Sequence, residues 1–194
     1  RAGVGYLGPT GFFSAGYQIE DGRYGIPFAG AFESEEGEGD VAPLIDLDHR
    51  RQSVRVDVGA RDLGLHWLDT VRVAVSYLDW HHEEIETEDG LDRIGTTFDN
   101  ESVVVRAELD QRPVGRVSGT FGAWSLRRDY LSVGEEALAP PTTQTALAAF
   151  VYEELNLGRV RVQFSGRLES NDYQVDRRAA VHRLHANGIR CHLW

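Results

Sequence analysis

Apolar and polar residues alternate with a period of two along almost the whole chain, and this constrains the fold more than any other feature. Phe13, Ala15, Tyr17 and Ile19 alternate with Ser14, Gly16, Gln18 and Glu20. Val54, Val56 and Val58 do the same, as do Val71, Val73, Val75 and Tyr77, and then Val103, Val105, Ala107 and Leu109. Val117, Gly119, Phe121 and Ala123 follow, and Val160, Val162, Phe164, Gly166 and Leu168 close the series. Residues 143–155 are less decided, because Ala146 to Val151 is apolar on both parities. Thr145 to Glu154 is the nearest approach to a helix, yet no capped three-turn amphipathic stretch occurs. The pattern predicts an all-β chain, an antiparallel meander of about seven strands, most longer than the usual 5–6 residues.

The predicted connections sort by length. Three are short, at 64–69, 110–115 and 156–158. The others, at 21–50, 86–96, 133–142 and after Asn171, are longer and polar. A soluble β-sandwich has the same alternation, but nothing requires its loops to sort this way. Outer-membrane barrels do sort them, with short periplasmic turns and long extracellular loops. Tyr77, Trp80, Tyr130 and Tyr173 near the long-loop ends, with Trp67 and Tyr152 near the short turns, are expected to form two interfacial girdles.

Composition removes other classes. With 31 acidic against 20 basic residues the net charge is −11, which opposes nucleic-acid binding. All basic residues are arginine, which suggests a GC-rich coding sequence. The single cysteine excludes an intrachain disulfide, and no Cys/His quartet is spaced for structural zinc. No run approaches the ~20 apolar residues of a spanning helix, and no signal peptide is recognisable. Membrane barrels escape that test, since only alternate residues meet lipid.

Several stretches carry a resemblance. They are Arg23-Tyr24-Gly25-Ile26-Pro27, Val54-Arg55-Val56-Asp57, Ser76-Tyr77-Leu78-Asp79-Trp80-His81-His82-Glu83-Glu84 and Ile94-Gly95-Thr96-Thr97-Phe98-Asp99-Asn100. Further on come Gly134-Glu135-Glu136-Ala137 with Pro140-Pro141-Thr142, Phe150-Val151-Tyr152-Glu153-Glu154, and Gly166-Arg167-Leu168-Glu169 before Asp172-Tyr173. In order and spacing over residues 11–175 they resemble the barrel of TonB-dependent outer-membrane receptors, in the branch that takes up iron complexes, zinc or haem. The resemblance implies a Gram-negative outer-membrane location and a transmembrane barrel of roughly 22 strands around a plug domain. It further implies an extracellular metal or metal-complex ligand (siderophore, zinc or haem), outer-membrane lipid, and the TonB complex reached through a plug that these residues do not contain. Residues 1–177 are then expected to be a mid-barrel fragment.

From about Arg178 the alternation collapses, and residues 178–194 are expected to be an out-of-frame or disordered tail. His182, His185, Cys191 and His192 can each ligate zinc. The codons offer a better account: read one nucleotide later, Val181 to His192 can spell F-T-A-F-T-P-T-A-S-G-V, which resembles the strand expected next.

Two constellations are candidates for ligand contact. The acidic stretch 28–49 holds Glu33, Glu35, Glu36, Glu38, Asp40, Asp46, Asp48 and His49. Hard cations favour its oxygens, while zinc or iron would take His49 with carboxylates. In His81-His82-Glu83-Glu84 alternate residues share a face, so His82 goes with Glu84 and His81 with Glu83. Asp46, Asp48, His49, His82 and Glu84 are therefore the candidate ligand-loop residues, against the plainer reading of solvated polar segments. No G-x-S-x-G, phosphate-loop or H-E-x-x-H motif occurs, and paired acids such as Glu135-Glu136 or Glu153-Glu154 point apart in a strand. Gly3-x-Gly5-x-x-Gly8 has no following helix and reads as turn glycine. No enzymatic activity and no cofactor are expected. The alternatives are a soluble or secreted β-sandwich binding carbohydrate or calcium, and a carboxylate hydrolase on a β-sheet. A single curved layer with a valine-rich outer face would separate the barrel from the sandwich.

Overall fold

The computed structural model describes residues 1–26, 44–88, 90–134, 137 and 139–176. These form eight strands: β1 Ala2–Leu7, β2 Gly11–Gly25, β3 Leu44–Arg61, β4 Leu68–Glu88, β5 Leu91–Gln111, β6 Val117–Gly134, β7 Thr142–Asn156 and β8 Arg161–Val175. Each pairs antiparallel with the next in a single sheet in sequence order, leaving β1 and β8 as edges. The all-β meander expected from alternation is present. The sheet is open, and among the described residues there is no helix and no second sheet for a sandwich to pack against.

The elements depart from the sequence reading in physically intelligible ways. There are eight strands rather than seven, because β1 is glycine-rich, and Gly3 and Gly5 lie inside it rather than in a turn. The expected loop 86–96 is instead a continuation of β4 and β5, each 21 residues long, joined at 89–90. Gly90 takes a φ of 76° there, a conformation that glycine adopts without strain. β2 likewise runs on to Gly25, β3 begins at Leu44, and β8 continues past Asn171 to Val175. The helix-like stretch is strand β7, whose second apolar parity tucks Ala146 and Ala148 against Leu126 and Trp124. Connections 8–10, 62–67, 112–116 and 157–160 share one end of the sheet, and 26–43, 89–90 and 135–141 share the other. The tail 178–194, with His182, His185, Cys191 and His192, and the acidic residues Glu33, Glu35, Glu36, Glu38, Asp40, Glu135 and Glu136 lie outside the described residues.

The two faces are inverted relative to a soluble sheet. Asp57, Thr96, Ser132, Ala146 and Ala148 are buried, and all share one face. No layer covers that face among the described residues, so longer side chains of the same face shield these shorter ones; we call it inward. The outward face is apolar and exposed, with Phe13, Ile19, Val54, Val58, Val75, Val103, Val105, Phe121, Leu147, Val151, Phe164 and Leu168 all open. Inward polar groups pair instead. Asp57 accepts from Arg55 at 2.9 Å and Arg72 at 2.6 Å, and Arg106–Glu108 and Arg167–Glu169 each close at 2.6 Å. Arg106 stacks over Phe150 at 4.8 Å and Arg167 over Trp124 at 5.4 Å. Two phenyl rings lie over glycines of the neighbouring strand, Phe12 over Gly59 and Phe150 over Gly122.

The outward apolar belt is slanted. Its upper limit is Ile19 on β2, then Val54, Tyr77 and Val103 on β3–β5, Ala123 on β6, Leu147 on β7 and Leu168 on β8. Along the register Leu168 stands level with Ala149, Ala123, Ala107, Val73, Val58 and Phe13. From Ile19 to the level of Phe13 the belt thus falls about one residue per strand crossed. The aromatics at its lower margin descend the same way, from Phe13 through Phe121 to Phe164.

Candidate functional site

The five candidate residues all lie above the belt, at the end bearing the long connections, but on two different faces. Asp46, Asp48 and His49 are in strand β3 rather than a loop, so alternation separates them. Asp46 and Asp48 point outward, while His49 points inward, directly opposite His82 of β4. Glu84, opposite Leu47, shares the inward face with both histidines. The expected split of His82 with Glu84 from His81 with Glu83 is present.

Asp46 is already engaged. Arg23 donates to it at 2.9 Å and to Asp92 at 3.1 Å, and Thr87 donates to Asp92 at 2.8 Å. This network ties β2, β3, β4 and β5 together beside the Ile85–Ile94 pair. Asp48 is placed opposite Arg23 and Glu83, apart from the histidine pair. An outward groove includes Asp79, Asp99, Glu101 and Asp129 in its lining, but three of these acids are taken, Glu101 by the Tyr77 hydroxyl. Asp129 accepts from Thr143 at 2.6 Å, and His81 Nδ1 stands 2.6 Å from Asp99 with Nε2 3.2 Å from Glu83.

On the inward face the site is more enclosed. His82 sits between Trp80, at 5.1 Å between ring centroids, and Phe98, at 5.3 Å. His49 meets the Tyr24 ring edge-on at 5.8 Å, and its Nε2 lies 4.0 Å from the Glu20 carboxylate. Burial first, and then the nearby His49 and His81, hold the His82 imidazole below its ordinary pKa. The buried His49 Nδ1 and His82 Nε2 have no hydrogen-bond partner. Sequence reasoning did not single out Trp80, Phe98, Tyr24 or Glu20 as neighbours of this pair. Three of those aromatics fall in the stretches quoted for the resemblance, but only the strand register brings them together.

The aromatic girdles need correction. Of the six residues expected in them, Trp80, Tyr130, Tyr152 and Tyr173 face inward, and Trp67 lies in the connection 62–67. Tyr77 does stand at the outward belt's upper margin, level with Tyr17.

The outward His81 carries a pH dependence of opposite sign to that of His82. The Asp99 hydrogen bond, helped by Glu83 and opposed by partial burial, raises its pKa. A raised folded-state value stabilises fully below the unfolded pKa of about 6.5 and is lost as pH rises through the folded value. His81 is 44% exposed, so after screening the term is about 0.5 kcal/mol or less. His81→Gln is expected to flatten the change in urea midpoint between about pH 6 and 8; an unaltered pH profile would remove His81 from the account.

No protein-family model matches the chain, and no curated protein matches its sequence.

Proposed function

We propose that this sheet is part of the transmembrane barrel of a TonB-dependent outer-membrane receptor that takes up a metal or metal complex. The observation that carries the membrane reading is the slanted apolar belt. A fall of one residue, ~3.3 Å, per strand spacing of ~4.8 Å is level only when strands lean about 35° from the normal. Membrane barrels tilt their strands by about 35–45° to satisfy the same relation between shear and closure. On β4 the belt runs from Val71 to Tyr77, about 16 Å along that normal, shorter than the ~25 Å apolar band of outer-membrane barrels.

The inverted faces support the same reading. An exposed valine-rich surface is a liability in water and an asset against lipid tails. The receptor assignment and its transport role, without catalysis, rest on the resemblance of the ordered motifs. The acidic, histidine-bearing rim above the belt supports a metal ligand. The barrel's remaining strands would pair with the β1 and β8 edges, and the plug would meet the inward charged face.

The test uses the complete gene product in its own host. The protein is expected in the outer-membrane fraction, with metal accumulation lost when the proton-motive force is collapsed. Recovery in a soluble fraction, or accumulation indifferent to the uncoupler, would overturn the proposal.

A further inference from the structure

His49 and His82 face each other across β3 and β4, on the inward face and above the lipid belt. Each leaves one buried ring nitrogen without a partner, Nδ1 of His49 and Nε2 of His82. An unsatisfied buried polar atom costs about 1–3 kcal/mol, and native structures keep few of them. Eight such side-chain atoms occur among the described residues, and these two are set apart because they are imidazole nitrogens on directly opposed residues. A bridging water can donate to both nitrogens, as can a single cation accept their lone pairs, and the donor set and its surroundings favour the cation.

The surroundings narrow the chemistry. The Glu20 carboxylate near His49 Nε2 has the placement of an outer-shell acid behind a metal-bound imidazole, which leaves Nδ1 as the donor atom. The rings of Trp80 and Phe98 on either side of His82 limit the directions in which its free nitrogen can point. Opposed side chains on adjacent strands start with Cβ atoms about 4.5–5.5 Å apart, within reach of one ion at ~2.0–2.1 Å from each nitrogen. The His49 ring now leans over Gly22, where a side chain would collide with its Cε1. The bare glycine leaves the ring room to rotate towards β4.

We propose that His49 and His82 form an exchangeable two-imidazole site for a divalent transition-metal ion of the zinc, nickel or copper class. Imidazole donors select these ions over calcium or magnesium. No cluster of three or more His, Cys, Asp or Glu suited to a metal occurs among the described residues, so water fills the other positions and the ion can leave. The rim of β2–β5 carries more carboxylates than guanidinium groups, which concentrates cations and repels anionic metal complexes. The site deepens the uptake reading by naming a hydrated cation as cargo, and rests on that reading for its role though not for its existence.

The test is calorimetric titration of the full-length protein, refolded in detergent, with zinc chloride. H49Q and H82N are each expected to weaken binding about tenfold or more, E20Q about tenfold, and H81Q hardly at all. Heat-modifiable gel mobility of every variant checks that the barrel has formed. Binding unchanged in H82N, or weakened equally by H81Q, would overturn the site. Histidine-dependent binding by a protein recovered outside the outer membrane would uphold the site while removing the transport reading.

Discussion

Val75→Arg is expected to destabilise the assembled protein by about 2–4 kcal/mol, the depth-dependent cost of a cation on the lipid face of a barrel. Val75 lies within the belt, between Val56 and Val105, with its side chain outward and exposed. Ser14→Arg, on the inward face opposite Asp57, is expected to change stability by no more than about 0.5 kcal/mol. Urea titration from lipid vesicles, followed by tryptophan fluorescence, measures both. In water the two positions would behave alike, because an arginine replacing an exposed valine hides no charge. Equal and small effects would therefore sink the lipid-facing assignment.

A larger effect is expected of the isolated 194-residue chain: no protease-protected, heat-modifiable species in vesicles. β8 is 15 residues long and is an edge, so on its open side a row of amides and carbonyls has no strand partner. Each such group in hydrocarbon costs several kcal/mol, and two edges together cost on the order of tens. The same chain within a closed barrel loses that penalty entirely. A protected monomer of this chain alone would show that the edges do not meet lipid.

Much of this fold was legible because the belt residues announce themselves. Val71, Val73 and Val75 face one way, and the code of alternation needs only the outer side to be apolar. The reading failed where that contrast vanishes. Above the belt the register shifts between Glu84 and Ile85, and Ile85 pairs with Ile94 amid acidic and threonine residues, so alternation is lost while the hydrogen-bonded ladder continues. In β7 the contrast fails oppositely, since Ala146 and Ala148 fill a crowded inward surface. The histidine pair was half legible. Parity put His82 with Glu84, but only the register of β3 against β4 could set His49 opposite His82 and send Asp46 and Asp48 outward.

Valine ladders are poor at telling which valine they should meet. A slip of one residue turns every side chain to the wrong face and is strongly disfavoured. A slip of two keeps Val54, Val56 and Val58 against the valines of β4 and offends almost nothing on the outward side. The phenyl rings over Gly59 and Gly122 resolve this ambiguity from the inward side. The same error would lay Phe12 on Asp57 or Arg61, where a side chain already occupies the space. Both rings stand on one line across the sheet, through Gly59, Arg72, Glu108 and Gly122 to Phe150, one near each edge. They act as alignment marks for a chain that must add strand to strand without losing count. A side chain at Gly122, which would meet only the Phe150 ring, would therefore be felt in the number of molecules that finish the sheet correctly, whereas one at Gly59 would also press on the Val71 carbonyl and weaken the finished sheet.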